Sequence, residues 1–433
     1  MFLAFVSFIV VRYSDQQKNK ADHFPLKERQ GAIALLQEWA VTKTNGDKLL
    51  QTVTDKPEDI KSKITLASIY IQEARITGDY DYYDAAAMKY INDALAIEPN
   101  HYEALILKAI IQLTQHHFSE ALETAALAQK INPYNAFIYG IMVDGNVEMG
   151  NYAAAVEHSD KMMSIRPDIR SYSRVSYLRE IHGDLPGAIE AMKMAVDAGG
   201  YGDEGTAWAR IELAKLYEKT GEIKFAEMHY TIALNERPGY SHALAGMARI
   251  AIANKEFQKA VQLYGKADSL MNDFSFKEEL AELYLFTGEQ KKADGLMNTI
   301  IADLNKTASK GEEAMNHHAD KELASLYLLK KDYDRAVKYA LAEYSRHPDN
   351  ISVNEILAWA YFKKGDAQKA LPFMEKALKT GIKNPASLCK AGFIYAAAGQ
   401  KEKAKTALTV ALKSNPVMEP GLKKECQILL NSL

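Results

Sequence analysis

The chain has 433 residues, 25% of them charged and 48% apolar, with a formal net charge of −3. That balance excludes a disordered polar chain and a multispan membrane protein. It supplies no basic stripe of the kind that wraps nucleic acid, so no nucleic-acid partner is expected.

The first segment, residues 1–11 (MFLAFVSFIVV), is apolar apart from Ser7, and Arg12 follows it. In helical form it reaches about 16 Å, against a hydrocarbon core of about 30 Å. It cannot cross a bilayer alone. It lacks the basic start and the small-residue cleavage site of a secretory signal. A signal with a later-than-true start, a short membrane anchor and a plain apolar leader all remain open. Export or membrane association through residues 1–11 is favoured over the cytoplasm, because so apolar a terminus is unfavourable in water. Residues 1–12 are thus set apart, 13–25 read as a polar tether, and 26–63 as an N-terminal helical cap.

From residue 64 onward one pattern keeps returning. Its clearest copy is GTAWARIELAKLYEKTGEIKFAEMHYTIALNERP, residues 205–238. Within Ala207–Lys219, Ile211, Leu213, Ala214 and Tyr217 fall on one helical face. Gly221 ends that helix, where a left-handed backbone is needed. A second run, Ile223–Leu234, offers Ala226, Tyr230, Ala233 and Leu234 to one side, and Pro238 stops it. The first alanine of the second helix recurs at Ala87, Ala121, Ala155, Ala188, Ala226, Ala260, Ala293, Ala336, Ala370 and Ala404. Those steps are 33 or 34 residues, except one of 38 and one of 43. The long steps fall at 197–205 (DAGGYGDEG) and 303–316 (DLNKTASKGEEAMN), with Asn305–Gly311 the candidate joint between halves. DYDYYD, residues 79–84, reads as a solvated loop, because it lacks the glycine and terminal glutamate of a calcium loop.

No helix pair of this size buries its own apolar face, so neighbours must stack. Alanine belongs where helix backbones approach, and tyrosine in the wider gaps between units.

With Leu213-Ala214/Tyr217, Leu323-Ala324/Tyr327 and Leu357-Ala358/Tyr361 matching its first block, the chain over about 64–416 resembles the tetratricopeptide repeat family. The resemblance implies an all-α, right-handed α-solenoid of about ten stacked helix-turn-helix repeats. Residues 417–433 would then form a C-terminal capping helix. Two departures stand out. The signature tryptophan is absent, and Glu343 occupies a small-residue position, which predicts looser packing or a bend there.

The family geometry implies a concave face lined by first helices. It assigns Arg170, Ser173 and Tyr177, then Trp208, Ile211 and Lys215, then His242 and Arg249. Further along come Glu278 and Glu282, then Lys321, and then Glu355, Trp359 and Phe362. The middle repeats would present basic groups and the later ones carboxylates and aromatics. A protein or peptide partner is therefore expected in the groove. A chaperone carboxylate clamp is disfavoured, since no first helix carries lysine and asparagine together at inner positions.

Enzyme chemistry finds no support. No P-loop, dinucleotide fingerprint, H-E-x-x-H or G-x-S-x-G occurs, and no cofactor is implied. His116-His117 and His317-His318 read as surface pairs, because helical neighbours point about 100° apart and rarely share a ligand. His318 and Glu322 read as an ordinary i,i+4 pair, so no metal is assigned. Cys389 and Cys426 are too distant in sequence to read as a disulfide framework or a metal pair. The sequence reading is a non-enzymatic interaction scaffold. The alternatives are an RNA-binding helical repeat of the pentatricopeptide type, disfavoured by the period and charge, or a regulatory subunit of an enzyme encoded elsewhere.

Overall fold

The computed structural model describes residues 24–308, 317–414 and 416–433. The apolar run 1–11, the tether as far as residue 23, and residues 309–311 of the expected joint lie outside the described residues. Among the described residues the regular structure is 22 α-helices and one short 3-10 helix, with no strand.

Helix α1 (Gln37–Asp55) precedes ten antiparallel pairs. The first five are α2/α3 (Ile60–Thr77, Tyr80–Ile97), α4/α5 (Tyr102–Thr114, Phe118–Ile131), α6/α7 (Ala136–Glu148, Tyr152–Ile165), α8/α9 (Ile169–Ile181, Leu185–Asp197) and α10/α11 (Glu204–Thr220, Ile223–Glu236). The second five are α12/α13 (Ser241–Ala253, Phe257–Leu270), α14/α15 (Phe274–Thr287, Gln290–Ala308), α16/α17 (Asp320–Leu329, Tyr333–Arg346), α18/α19 (Ile351–Lys363, Ala367–Ala377) and α20/α21 (Pro385–Ala397, Lys401–Leu412). A last helix, α22 (Pro420–Ser432), packs on α20 and α21.

The packing follows the small–large alternation. Ala226, Ala233, Ala260 and Ala267 are completely buried, and so, within 1%, are Tyr230 and Tyr264. Gly246 on α12 has no side chain, and the Tyr230 ring occupies the space a Cβ would need. Each contact of this kind lets one pair lean on the next, which is how a solenoid gains a core.

The coil closes on itself. The end of each first helix in the early part of the chain touches the start of the first helix six pairs later. Asn272 donates its main-chain N–H to the Thr77 carbonyl at 3.0 Å, and His318 to Gln115 at 3.3 Å. Val417 does the same to Glu218 at 2.9 Å. Between these, Ile351 N–H donates to the Tyr152 hydroxyl at 2.8 Å, and the Thr380 hydroxyl to the Ile181 carbonyl. Six pairs therefore complete one superhelical turn, and the second turn is stitched to the first along a seam. Gly150 and Gly183 show what the seam requires. Both end a first helix at φ 79°, and a Cβ on either would collide with main chain of the next turn, at Asp349 and Gly381 respectively.

Several sequence expectations are corrected here. DYDYYD is no solvated loop: Tyr80 opens α3, and Tyr83 and Asp84 are buried, at 0% and 3% exposure. Cys389 and Cys426 are paired, with Cα atoms 5.9 Å apart, and join α20 to the closing helix. The two histidine pairs, one on each side of the seam, lie against each other with tilted rings. His116 and His317 have ring centroids 4.4 Å apart, and His117 and His318 4.1 Å apart. Asn305 lies inside α15, which runs to Ala308. Glu343 is buried, and His347 Nδ1 and the Arg346 guanidinium contact its carboxylate at 2.9 and 2.6 Å. Burial alone would raise its pKa. His347 and Arg346 outweigh that and hold it down at about 2.

The N-terminal segment is anchored by a buried ion network. Arg29 donates from Nε and an Nη to both oxygens of Glu73, at 2.9 and 2.6 Å, with both side chains fully buried. Its other Nη reaches Glu38 at 2.9 Å, and Glu38 in turn accepts from Arg237 at 2.7 Å. Because Arg237 sits just before α12, this network is the first stitch of the seam.

Candidate functional site

The inner wall of the coil is built from the first helices, and several of the expected residues meet there. Tyr177 on α8 is 46% exposed, yet protein encloses it closely enough that its hydroxyl is pushed well above the usual phenol range, aided by Glu148 and Glu180. Lys215 on α10 is matched by Glu212 at 2.9 Å. Burial opposes the lysine charge, but Glu212 holds its pKa above the ordinary value.

Most cations on this wall are committed. Arg249 on α12 contacts Glu218 at 3.0 Å and Glu279 at 3.1 Å, and donates to the Tyr230 hydroxyl at 3.0 Å. Tyr264 donates to the same Glu279 at 2.7 Å. Arg249 is thus the hub of a network holding three successive pairs together. Arg170 lies over the Phe137 ring at 4.7 Å, and burial among Arg174, Arg75 and Arg166 lowers its pKa. Arg75, at the end of α2, reaches Glu204 at the start of α10 at 3.1 Å. Those helices lie four pairs apart, so an ion pair spans the bore at this end.

The second turn carries a different balance. Glu278 accepts from the Ser325 hydroxyl at 2.6 Å. Burial raises the pKa of Glu278 and drives that of Glu282 well up, with Glu278, Glu419 and Glu279 adding repulsion at Glu282. The cation that opposes this repulsion, Lys390, is paired with Glu355 at 2.7 Å. Glu355 also accepts from the Ser387 hydroxyl. Beside them Trp359 stacks on Phe362 at 5.1 Å and meets Phe393 at 6.0 Å, with Lys363 5.0 Å above its ring. Lys321 on α16 faces Glu148, Glu322 and Glu343; burial works against its charge, and those carboxylates hold it raised.

Other expected positions point elsewhere. Ile211 is fully buried in the core. Ser173 is buried too, its hydroxyl returned to the Ile169 carbonyl at 2.6 Å. Trp208 is half-buried against the cluster around Ile211 and Tyr217. His242 sits edge-on to Tyr240 and Phe276, at 5.6 and 5.4 Å, and burial lowers its pKa. Sequence reasoning missed Glu212, Glu279, Glu419 and Lys390. The first two lie one position beside an assigned inner residue, and the helical period alone could have found them.

The family model for the tetratricopeptide repeat matches residues 321–385. That match, with ten successive helix pairs of the same helix-turn-helix design, supports a tetratricopeptide-repeat protein. No curated protein matches it. Similar solved structures include a tetratricopeptide repeat protein from Parabacteroides merdae, at 21% identity and TM-score 0.36, covering 61% of this chain and 98% of that one. A thermophilic TPR protein from Thermus thermophilus is 22% identical, with TM-score 0.39, covering 45% and 99%. The human IFIT1 dimer, solved with m7Gppp-AAAA, is 15% identical, with TM-score 0.48, covering 79% and 78%. Among the described residues no helix is long and apolar enough to cross a membrane. The repeats define a protein-interaction scaffold.

Proposed function

We propose that the chain is a non-enzymatic scaffold whose bore takes a partner segment presenting a cationic group beside an apolar one. One observation carries this reading: the carboxylates of Glu278 and Glu282, with Glu419, crowd together on the inner wall while the nearby Lys390 is paired to Glu355. Excess like charge on an enclosed surface is unfavourable to the free protein, and an incoming ammonium or guanidinium group relieves it. Trp359, Phe362 and Phe393 supply an adjacent apolar anchor of the type that dominates peptide recognition. On the first turn Lys215 and Arg249 are already matched by Glu212, Glu218 and Glu279 of this chain, which works against an RNA strand in the bore.

A photoreactive residue placed at Tyr177 or Trp359, in the full chain and in the native host extract, tests this. Crosslinks to a protein segment rich in lysine or arginine are expected from both positions. A control placed at the exposed Met228 on α11 should give none of them. Crosslinks confined to the control position, or to RNA from the bore positions, would refute the reading.

A further inference from the structure

Six helix pairs per turn bring the two histidine pairs, two hundred residues apart in sequence, to one point on the seam. There His116, His317 and Glu322 each aim a ligand atom at a common space, and these atoms all lie within 4.8 Å of one another. His116 is the turn residue between α4 and α5, held at φ 63° where most of the other turns use glycine. His317 and Glu322 belong to the segment entering α16 and to its first turn. We propose that this cluster is a binding site for a divalent transition-metal ion of the zinc type, and that the ion clasps the second superhelical turn to the first.

The donor set fits that chemistry. Two imidazoles and one carboxylate are a common protein ligand set for zinc, with a fourth position left to water or another donor. Zinc bonds to nitrogen and oxygen run 2.0–2.2 Å, so an ion among these three atoms requires inward shifts of less than about an ångström from each. Nδ1 of His116 lies 4.0 Å from Glu322 Oε1 and 2.9 Å from the main-chain oxygen of His318. That oxygen borders the same point, where it either completes the set or steadies the ring.

The arrangement leaves polar capacity unused. Glu322 is only 12% exposed, and its Oε2 is buried with no hydrogen-bond partner among the described residues. His318 Nδ1 is buried in the same condition. Buried polar atoms are rarely left so, and a cation on the carboxylate supplies what is missing. The surrounding charges permit it. Arg346 is held by Asp320 and Glu343, and Lys321 faces three carboxylates. A metal here also has a structural consequence, because its ligands come from both turns. Ion binding and closure of the coil then share one free energy.

The test uses the full chain, stripped with chelator and titrated with Zn2+ by calorimetry and with Co2+ by visible absorption. One equivalent of either ion is expected to bind, with ligand-field bands for Co2+ and a rise in melting temperature. His116→Ala, His317→Ala and Glu322→Gln should each weaken binding at least tenfold. His101→Ala, which removes a histidine paired with Glu103 elsewhere, should not. Failure of the unaltered chain to bind Zn2+ below about 100 µM would overturn the proposal, whatever the variants do. So would unchanged affinity in a folded Glu322→Gln protein.

Discussion

Asn350 joins two superhelical turns and starts a helix with one side chain. Its Oδ1 accepts from the main-chain N–H groups of Ser352 and Val353, at 2.8 and 3.1 Å, capping α18. Its Nδ2 donates to the main-chain and side-chain oxygens of Glu148, at 2.9 and 3.0 Å, one turn earlier in the coil. The two jobs are separable. Asn350→Asp keeps the acceptor and so the cap, but it sets a carboxylate against the Glu148 oxygens. We expect that variant to lose about 1–3 kcal/mol in urea unfolding, with amide protection falling along the seam while α18 stays helical. Asn350→Ala should lose the cap as well and melt lower.

The Arg29–Glu73 pair is fully buried and doubly hydrogen-bonded. Removing one partner leaves the other charge uncompensated, which costs about 3–5 kcal/mol. Arg29→Ala and Glu73→Ala should therefore both destabilise strongly, by equilibrium denaturation. The double replacement Arg29→Met with Glu73→Leu should recover most of the loss. Similar losses in all three variants would mean that packing, and not charge, governs this site.

Asp84 gives a pH signature. Burial raises its pKa to about 7, although Thr114 and Gln115 donate to it at 3.1 and 3.4 Å. In the unfolded chain an aspartate titrates near 3.9. The folded group holds its proton over the interval between those values while the unfolded one has released it. Its contribution is thus lost progressively as pH rises from about 4 to about 7, and is level above that. Asp84→Asn should raise stability at pH 7 by roughly 2–4 kcal/mol and leave it nearly unchanged at pH 3. Melting curves at both pH values decide it. A neutral-pH loss would show that the charged form is the favoured one.

Glu282 should be unfavourable to the free protein for the same reason, its pKa being raised by burial and then by Glu278, Glu419 and Glu279. With the folded pKa above the unfolded one, its penalty grows as pH climbs past the normal carboxylate range. Glu282→Gln is predicted to raise the melting temperature at neutral pH and to weaken partner capture together. A variant that is both less stable and equally active in capture would contradict the assignment.

How much of this was legible beforehand differs by element. Alanines in register and the glycine at Gly221 gave the helix pairs, because close packing and a left-handed turn each demand a particular residue type. The start of α3 was readable too: Tyr83, Ala86, Ala87 and Tyr90 follow helical spacing, but the aspartates of DYDYYD obscured it. Ser173 deceived for another reason, since a serine on a helix can return its hydroxyl to its own backbone and stay buried. The seam left no local trace. It depends on the small rotation between successive pairs, summed over six of them, so neither the meeting of His116 with His317 nor the Glu148–Asn350 contact has a sequence signature. The Cys389–Cys426 pair was hidden likewise, because it needs α22 to fold back onto α20.

The closed two-turn coil is the claim on which the bore, the clasp and the stitches all rest. Residue-resolved hydrogen exchange at the amides of Asn272, His318, Ile351 and Val417 tests it most directly. Each lies in a loop or at a helix start, and among the described residues each donates only to an acceptor one turn away. These four amides are predicted to be protected well above loop values and to lose protection together when the seam is cut by Gly150→Val. Exchange at unprotected loop rates in the unaltered protein would show an open coil and contradict the account.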